Sequence, residues 1–256
     1  MKAVILAAGA SSRLRPLTDE MPKGLLSIGG VPMLERSISA LLGLGLEELV
    51  LVTGYLGDKV RAAVNAWFPG LRVHFVHNDE YATTNNAFSL RMTRPLVHGQ
   101  EFFLLDSDII FEPEVVGALM KSPHPDCLVL RPANDLTDEE IKVQVDPHGR
   151  VLQIGKHVPI PVSAGESVGI ERFTAATSVV LFDTLDDRVG RRGFVREYYE
   201  ASFQQMIDGG VELRAVDVGS LYCTEIDTLD DLAAAEKALA GANDRWASGS
   251  TRHGLT

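Results

Sequence analysis

Cysteine is almost missing from this chain: Cys127 and Cys223 are the two in 256 residues. Neither sits in a C-x-x-C pair or near a histidine at ligand spacing, so the expectation is two reduced, buried thiols in a cytoplasmic protein, not a disulfide or a metal site. Positive charge is also short. Twenty-four Lys and Arg face 35 Asp and Glu, a net charge of -11, which argues against a nucleic-acid partner. No apolar run approaches the ~20 residues that cross a bilayer, and the N-terminal one is too short for a signal peptide. Neither G-x-G-x-x-G nor G-x-x-x-x-G-K-[ST] occurs. A P-loop and a nicotinamide oxidoreductase are therefore both disfavoured. No internal repeat is visible, and no Ser-His-Asp constellation or reactive cysteine stands out; the seven histidines are scattered and receive no catalytic role.

What is present begins at the N-terminus. Ala3 to Leu6 reads as a buried parallel strand. Ala7, Ala8, Gly9, Ala10, Ser11 and Ser12 follow, small enough for the backbone to approach a ligand and aim N–H groups at phosphate oxygens. Arg13 adds a fork of donors suited to phosphate, and Lys23 a point-like cation. Helices over 32–42 and 58–68 then alternate with strands over 49–54 and 73–76. This is the pattern of a Rossmann-like, mostly parallel sheet with helices on both faces. In the polar stretch around Asn78, Thr84-Asn85-Asn86 offers a helix N-cap and amides able to read a pyrimidine edge. A strand over 101–105 runs into Asp106-Ser107-Asp108. In an extended segment, residues two apart point the same way, so both carboxylates are expected to face one metal.

Helix 113–121 and strand 127–131 precede a change of period. Residues 141–154 alternate as a β-hairpin around the turn at 146–149, expected to form a lid spanning about 138–175. Lys156 reads as a surface cation at a strand end. Residues 165–173 read as a loop entering a strand, 178–182 as an apolar strand, and 194–208 as a helix. That helix carries Glu197, Tyr198 and Glu200, an aromatic face with carboxylates that suits an amine; ordinary packing is an equal reading. A late strand over 212–218 precedes a second pair of acids, Glu225 and Asp227. Thr228 or Asp230 then caps a helix ending near Leu239. Residues 243–256 read as a disordered tail.

The string L-A-A-G-x-S-S-R-L-x-P-L-T-x-x-x-P-K, residues 6–23, closely resembles the signature loop of the sugar-nucleotide-type nucleotidyltransferases. Thr84-Asn85-Asn86, G-E-x-x-G-I-x-x-F at 165–173 and E-I-D-T-x-x-D-L at 225–232 resemble its phosphocholine cytidylyltransferase branch. The resemblance covers about residues 1–240, read as a single domain. It implies that Leu6 to Arg13 cradle the triphosphate and that Arg13 and Lys23 are catalytic. Asn78, Thr84, Asn85 and Asp106 help bind the nucleotide, and Lys23, Glu197 and Tyr198 the acceptor. Asp108, Glu225 and Asp227 hold Mg²⁺. It implies CTP as donor and phosphocholine, phosphoethanolamine or 2-aminoethylphosphonate as acceptor, with an inositol or sugar phosphate as the alternative. The nucleophile is already anionic, so catalysis is alignment and charge neutralisation without a strong base. A non-catalytic nucleotide-binding subunit is a competing reading, opposed by the intact Arg13, Lys23, Asp108 and Asp227. The sequence leaves homo-oligomers open.

Overall fold

The computed structural model describes residues 2–132 and 136–241; the tail expected at 243–256 lies outside the described residues. Strand β1 (Lys2–Ala7) leads through the loop and two short 3-10 turns to a two-residue hairpin, β2 (Ser27–Ile28) and β3 (Val31–Pro32). Then come α1 (Met33–Gly43), β4 (Glu48–Thr53), α2 (Gly57–Trp67), β5 (Arg72–His77), α3 (Asn86–Met92), α4 (Arg94–Val97), β6 (Phe102–Asp106), β7 (Ile109–Phe111), α5 (Glu114–Lys121) and β8 (Cys127–Arg131). The second half holds β9 (Lys142–Val145), β10 (Val151–Gly155), β11 (Gly165–Phe173), α6 (Ala175–Leu185), α7 (Glu200–Asp208), β12 (Arg214–Asp217), β13 (Cys223–Glu225) and α8 (Leu229–Ala240).

The centre of the main sheet is the parallel set β6-β1-β4-β5, and β11 joins β6 antiparallel. Alternation along the parallel strands divides the core. Ala3, Ile5, Leu49, Leu51, Phe103 and Leu105 pack with α1, α2 and α5 on one face. Val4, Leu6, Val50, Val52, Phe102 and Leu104 pack with α3, α6 and α7 on the other. Strands apolar on both faces are what a helix-covered parallel sheet requires. No described helix is long and apolar enough to cross a membrane. Cys127 and Cys223 are free and buried. Burial raises both thiols, Cys127 to about 11.

Four expectations need correction. The hairpin β9–β10 is not a separate lid over 138–175: β9 pairs with β11, and β11 is itself an inner strand between β6 and β8. The stretch 165–173 is thus strand throughout. Residues 178–182 belong to helix α6, capped by Thr174, whose hydroxyl accepts from Thr177 N–H at 3.2 Å. Its buried positions Ser178, Leu181, Phe182 and Leu185 follow helical spacing, which a short apolar run cannot reveal by itself. The helix expected from 194 starts at Glu200.

Candidate active site

Two connections bring the distant motifs together. Ser107 N–H donates to the Leu6 carbonyl at 3.1 Å, locking the end of β6 to the end of β1. The short β7 pairs antiparallel with β13, and Ile226 N–H donates to the Asp108 carbonyl at 2.9 Å, which carries Asp227 to Asp108. A cleft of about 270 Å³ opens beyond these strand ends, where open α/β sheets place ligands.

The loop after β1 forms one wall. Leu6, Ala7, Ala8, Gly9, Ser11 and Arg13 line the cleft; Ala10 and Ser12 do not. Ser11 is left-handed (φ 47°), and its carbonyl accepts from the Thr18 hydroxyl at 2.9 Å. A Cβ on Gly9 would meet nothing within 4 Å, so no protein contact demands glycine there.

Lys23, only 6% exposed, donates to Asp108 Oδ2 and to Asp227 Oδ1, both at 2.7 Å. Arg13 Nη2 takes the other oxygen of Asp227 at 2.6 Å. Burial alone would lower the Lys23 pKa, but Asp108 and Asp227 outweigh it and the ammonium is held above its usual range. Burial likewise pushes Asp227 up, and Lys23 and Arg13 more than reverse it.

Behind this group lies a set of buried acids. Asp106 is not set beside Asp108 by strand alternation, because the chain turns at Ser107 and Asp108 and is not extended there, although both line the cleft. Its Oδ2 instead accepts from the Tyr199 hydroxyl at 2.9 Å. Burial, then Asp108 and Glu200, raise its pKa well above normal. Gly169 makes the room: φ is +72°, and a Cβ there would stand 2.7 Å from Asp106 Oδ2. Glu225 lines the cleft, and burial together with Asp108 and Asp106 raises it strongly. Burial pushes Glu200 up to about 7, with Oε2 buried and lacking a hydrogen-bond partner.

The Asn78–Asn86 segment is engaged internally. Asn78 Nδ2 donates to the hydroxyls of Thr84 and Ser89, each at 3.1 Å, while its Oδ1 accepts from Glu80 N–H at 2.9 Å. Asn78 lines the cleft, but its amide serves the scaffold. Thr84 and Asn85 also line it, and Asn85 caps α3 by accepting from Asn86 N–H. Four bonds stitch this segment to 195–199. Asn85 N–H donates to the Val195 carbonyl (2.8 Å) and Asn85 Nδ2 to that of Arg196 (3.4 Å). Arg196 Nε donates to the Thr83 carbonyl (3.3 Å), and Tyr199 N–H to Asn86 Oδ1 (2.9 Å).

At the far end of the cleft, Tyr198 is exposed and lies under Lys156 Nζ, 5.3 Å from the ring centroid. Lys156 is also 3.1 Å from Glu139 Oε2. Glu139, Glu140, Lys156 and Glu200 all line this end, and the sequence reading missed Glu139 and Glu140 and left Lys156 on the surface. Glu197 is a correction: Arg188 holds its two oxygens at 2.8 Å each, and it does not line the cleft.

The donor set suits a divalent cation. A charged amine already sits between Asp108 and Asp227 as a stand-in, and both offer hard oxygens. No three described Asp, Glu, His or Cys side chains form a preassembled metal centre. Two carboxylates plus substrate phosphates is the usual arrangement for Mg²⁺.

Residues 3–177 match the MobA-like NTP transferase domain. Over 239 residues the chain is 30% identical to the CMP-5'-(3-aminopropyl)phosphonate synthase of Streptomyces rubellomurinus, covering 90% of this chain and 37% of that protein's length. It is 27% identical to the 2-aminoethylphosphonate cytidylyltransferase of Lancefieldella rimae, covering 91% of this chain and 90% of the relative. Its fold matches the CTP:phosphocholine cytidylyltransferase of Streptococcus pneumoniae with a TM-score of 0.76 at 24% identity, over 93% of this chain and 98% of that one.

Proposed function

Because the chain belongs to the MobA-like NTP transferase family, we propose that it transfers CMP from CTP to a small amine-bearing phosphate or phosphonate and releases pyrophosphate. The observation that carries this reading is the single cleft lined by the Ala7–Arg13 loop, by Asp108 and Asp227, and by Tyr198 and Glu200. The loop N–H groups and Arg13 bind the triphosphate, and Lys23 neutralises charge where the acceptor oxygen meets the α-phosphorus. The acceptor oxygen is anionic, so it attacks without a base. Thr84 and Asn85 border the space for the cytosine. Tyr198 and Glu200 receive the acceptor's ammonium, without the Glu197 expected beside them.

Magnesium is the ion we assign, with Asp108 and Asp227 as the residues that would hold it and Glu225 beside them. Bound there, it supplies Lewis-acid stabilisation of the charge on the phosphoryl oxygens. The two phosphonate relatives support a phosphonate acceptor, and the two buried thiols support a cytoplasmic location.

The test is pyrophosphate release with Mg²⁺, each of the four NTPs, and a panel of phosphocholine, phosphoethanolamine, 2-aminoethylphosphonate, inositol phosphate and glucose 1-phosphate. Turnover confined to CTP and an amine-bearing acceptor supports the proposal. Turnover with UTP or dTTP and a sugar phosphate overturns the assignment of base and acceptor while keeping the chemistry.

A further inference from the structure

The two cations of the signature loop and the two candidate metal ligands are bound to each other. Lys23 bridges Asp108 and Asp227, and Arg13 takes the oxygen of Asp227 that Lys23 leaves. Two positive charges meet two negative ones, so the group is neutral as it stands. A divalent ion arriving alone would bring its charge to carboxylates already matched. A triphosphate arriving alone would strip cations from those carboxylates and leave them uncompensated. Arriving together, the two exchange partners with the site: phosphates take Arg13 and Lys23, and the metal takes Asp108 and Asp227. Lys23 is buried, so its ammonium cannot retire to solvent and needs a new anion when it lets go.

We propose that Lys23 is the placeholder of the metal site: it occupies the position between Asp108 and Asp227, and metal and polyphosphate binding are coupled through its release. The inference rests on the metal assignment made above, but not on the identity of base or acceptor. Coupling of this kind is reciprocal, so each ligand raises the affinity for the other by the same factor. It also gives Asp227 a second consequence, because that carboxylate restrains both cations that polyphosphate needs.

Two measurements without turnover test it. In the first, Mn²⁺ is titrated into nucleotide-free protein and the free ion is followed by electron paramagnetic resonance. Lys23→Met should bind Mn²⁺ about tenfold more tightly than the unaltered protein, the size of one charge-assisted contact released. Adding Asp108→Asn to Lys23→Met should cancel the gain. In the second, inorganic triphosphate is titrated in EDTA by calorimetry. Asp227→Asn should bind it about tenfold more tightly, because Arg13 and Lys23 are released. This second variant keeps the test intact if Lys23→Met does not fold. Unchanged or weaker Mn²⁺ binding in a folded Lys23→Met protein overturns the proposal. So does a gain that survives Asp108→Asn, or unchanged triphosphate binding in Asp227→Asn. Failure of the proposed function has a separate signature: no pyrophosphate from any NTP and acceptor pair, with the Mn²⁺ and triphosphate gains still present.

Discussion

At the loop end of the cleft, Arg13 and Lys23 face Asp108 and Asp227, and charge is matched one for one. At the far end, Lys156 stands beside Glu139, Glu140 and Glu200, and acid is in surplus. A matched group is suited to exchanging partners, since anion and metal can each take over one half of it. A surplus of acid beside an aromatic face is suited to receiving an ammonium. The chain is acidic as a whole, yet the difference between the two groups is local.

The comparison breaks most visibly at the loop end. Asp108→Ala or Asp227→Ala should lower kcat by about 10³-fold or more, with pyrophosphate release as the readout. The circular-dichroism melt should stay near that of the unaltered protein. Near-normal turnover in both would remove the metal assignment. At the far end, Glu200→Gln should raise KM for an amine-bearing acceptor by about tenfold or more, while leaving KM for CTP within about twofold. A matching change in both constants would return Glu200 to a structural role.

The same residue sets a pH dependence with two opposite faces. Glu200 titrates near 7 in the folded protein against an ordinary value of 4.5. The unfolded chain gives up that proton at lower pH, so folded stability falls as pH rises from about 4.5 through about 7 and then levels. Denaturant melts should show the advantage of Glu200→Gln over the unaltered protein growing by on the order of 2–3 kcal/mol between about pH 5 and pH 8. Acceptor KM should fall over the same window, because the ionised carboxylate is the one that holds an ammonium. A flat stability difference would show that Glu200 is already ionised at the lower pH.

Between the two ends, Gly169→Ala pushes a Cβ against Asp106 and forces a left-handed residue. It should cost about 1–3 kcal/mol in a thermal melt. The smallest effect on stability belongs to the helix cap that follows Asp227. Thr228 caps α8, its hydroxyl accepting from Asp231 N–H while Asp231 answers the Thr228 N–H, and Thr228→Ala should cost about 1 kcal/mol.

The loop end was legible because its chemistry is contiguous. Residues 6–13 form one string, and acids two apart in 106–108 and 225–227 announce themselves. Even so, the pairing of β7 with β13, which joins those acids, lies in three-residue strands too short to show a period. The far end is assembled from residues on three separate segments, Glu139, Lys156 and the Tyr198–Glu200 stretch, with no spacing to connect them. Glu197 and Glu200 flank the same tyrosines, and the sequence offers both to an amine. Only Arg188, which reaches Glu197 from the π-helical turn at 186–191, separates them. Helix α6 escapes the sequence for a related reason: Val179-Val180-Leu181-Phe182 is an apolar run opened by two β-branched residues, and its helical burial emerges only against α3 and α7.

The four hydrogen bonds that tie Thr83, Asn85 and Asn86 to residues 195–199 bear on how such a protein could diverge. The segment 83–86 and the segment that carries Tyr198 are not independent cassettes. Replacing one with a relative's version removes partners from the other: the Asn86 side-chain Oδ1 that receives Tyr199 N–H, or the Val195 and Arg196 carbonyls that receive Asn85. A graft meant to alter acceptor preference therefore has to transplant both stretches. Lineages that changed their acceptor would be expected to have changed the two in step.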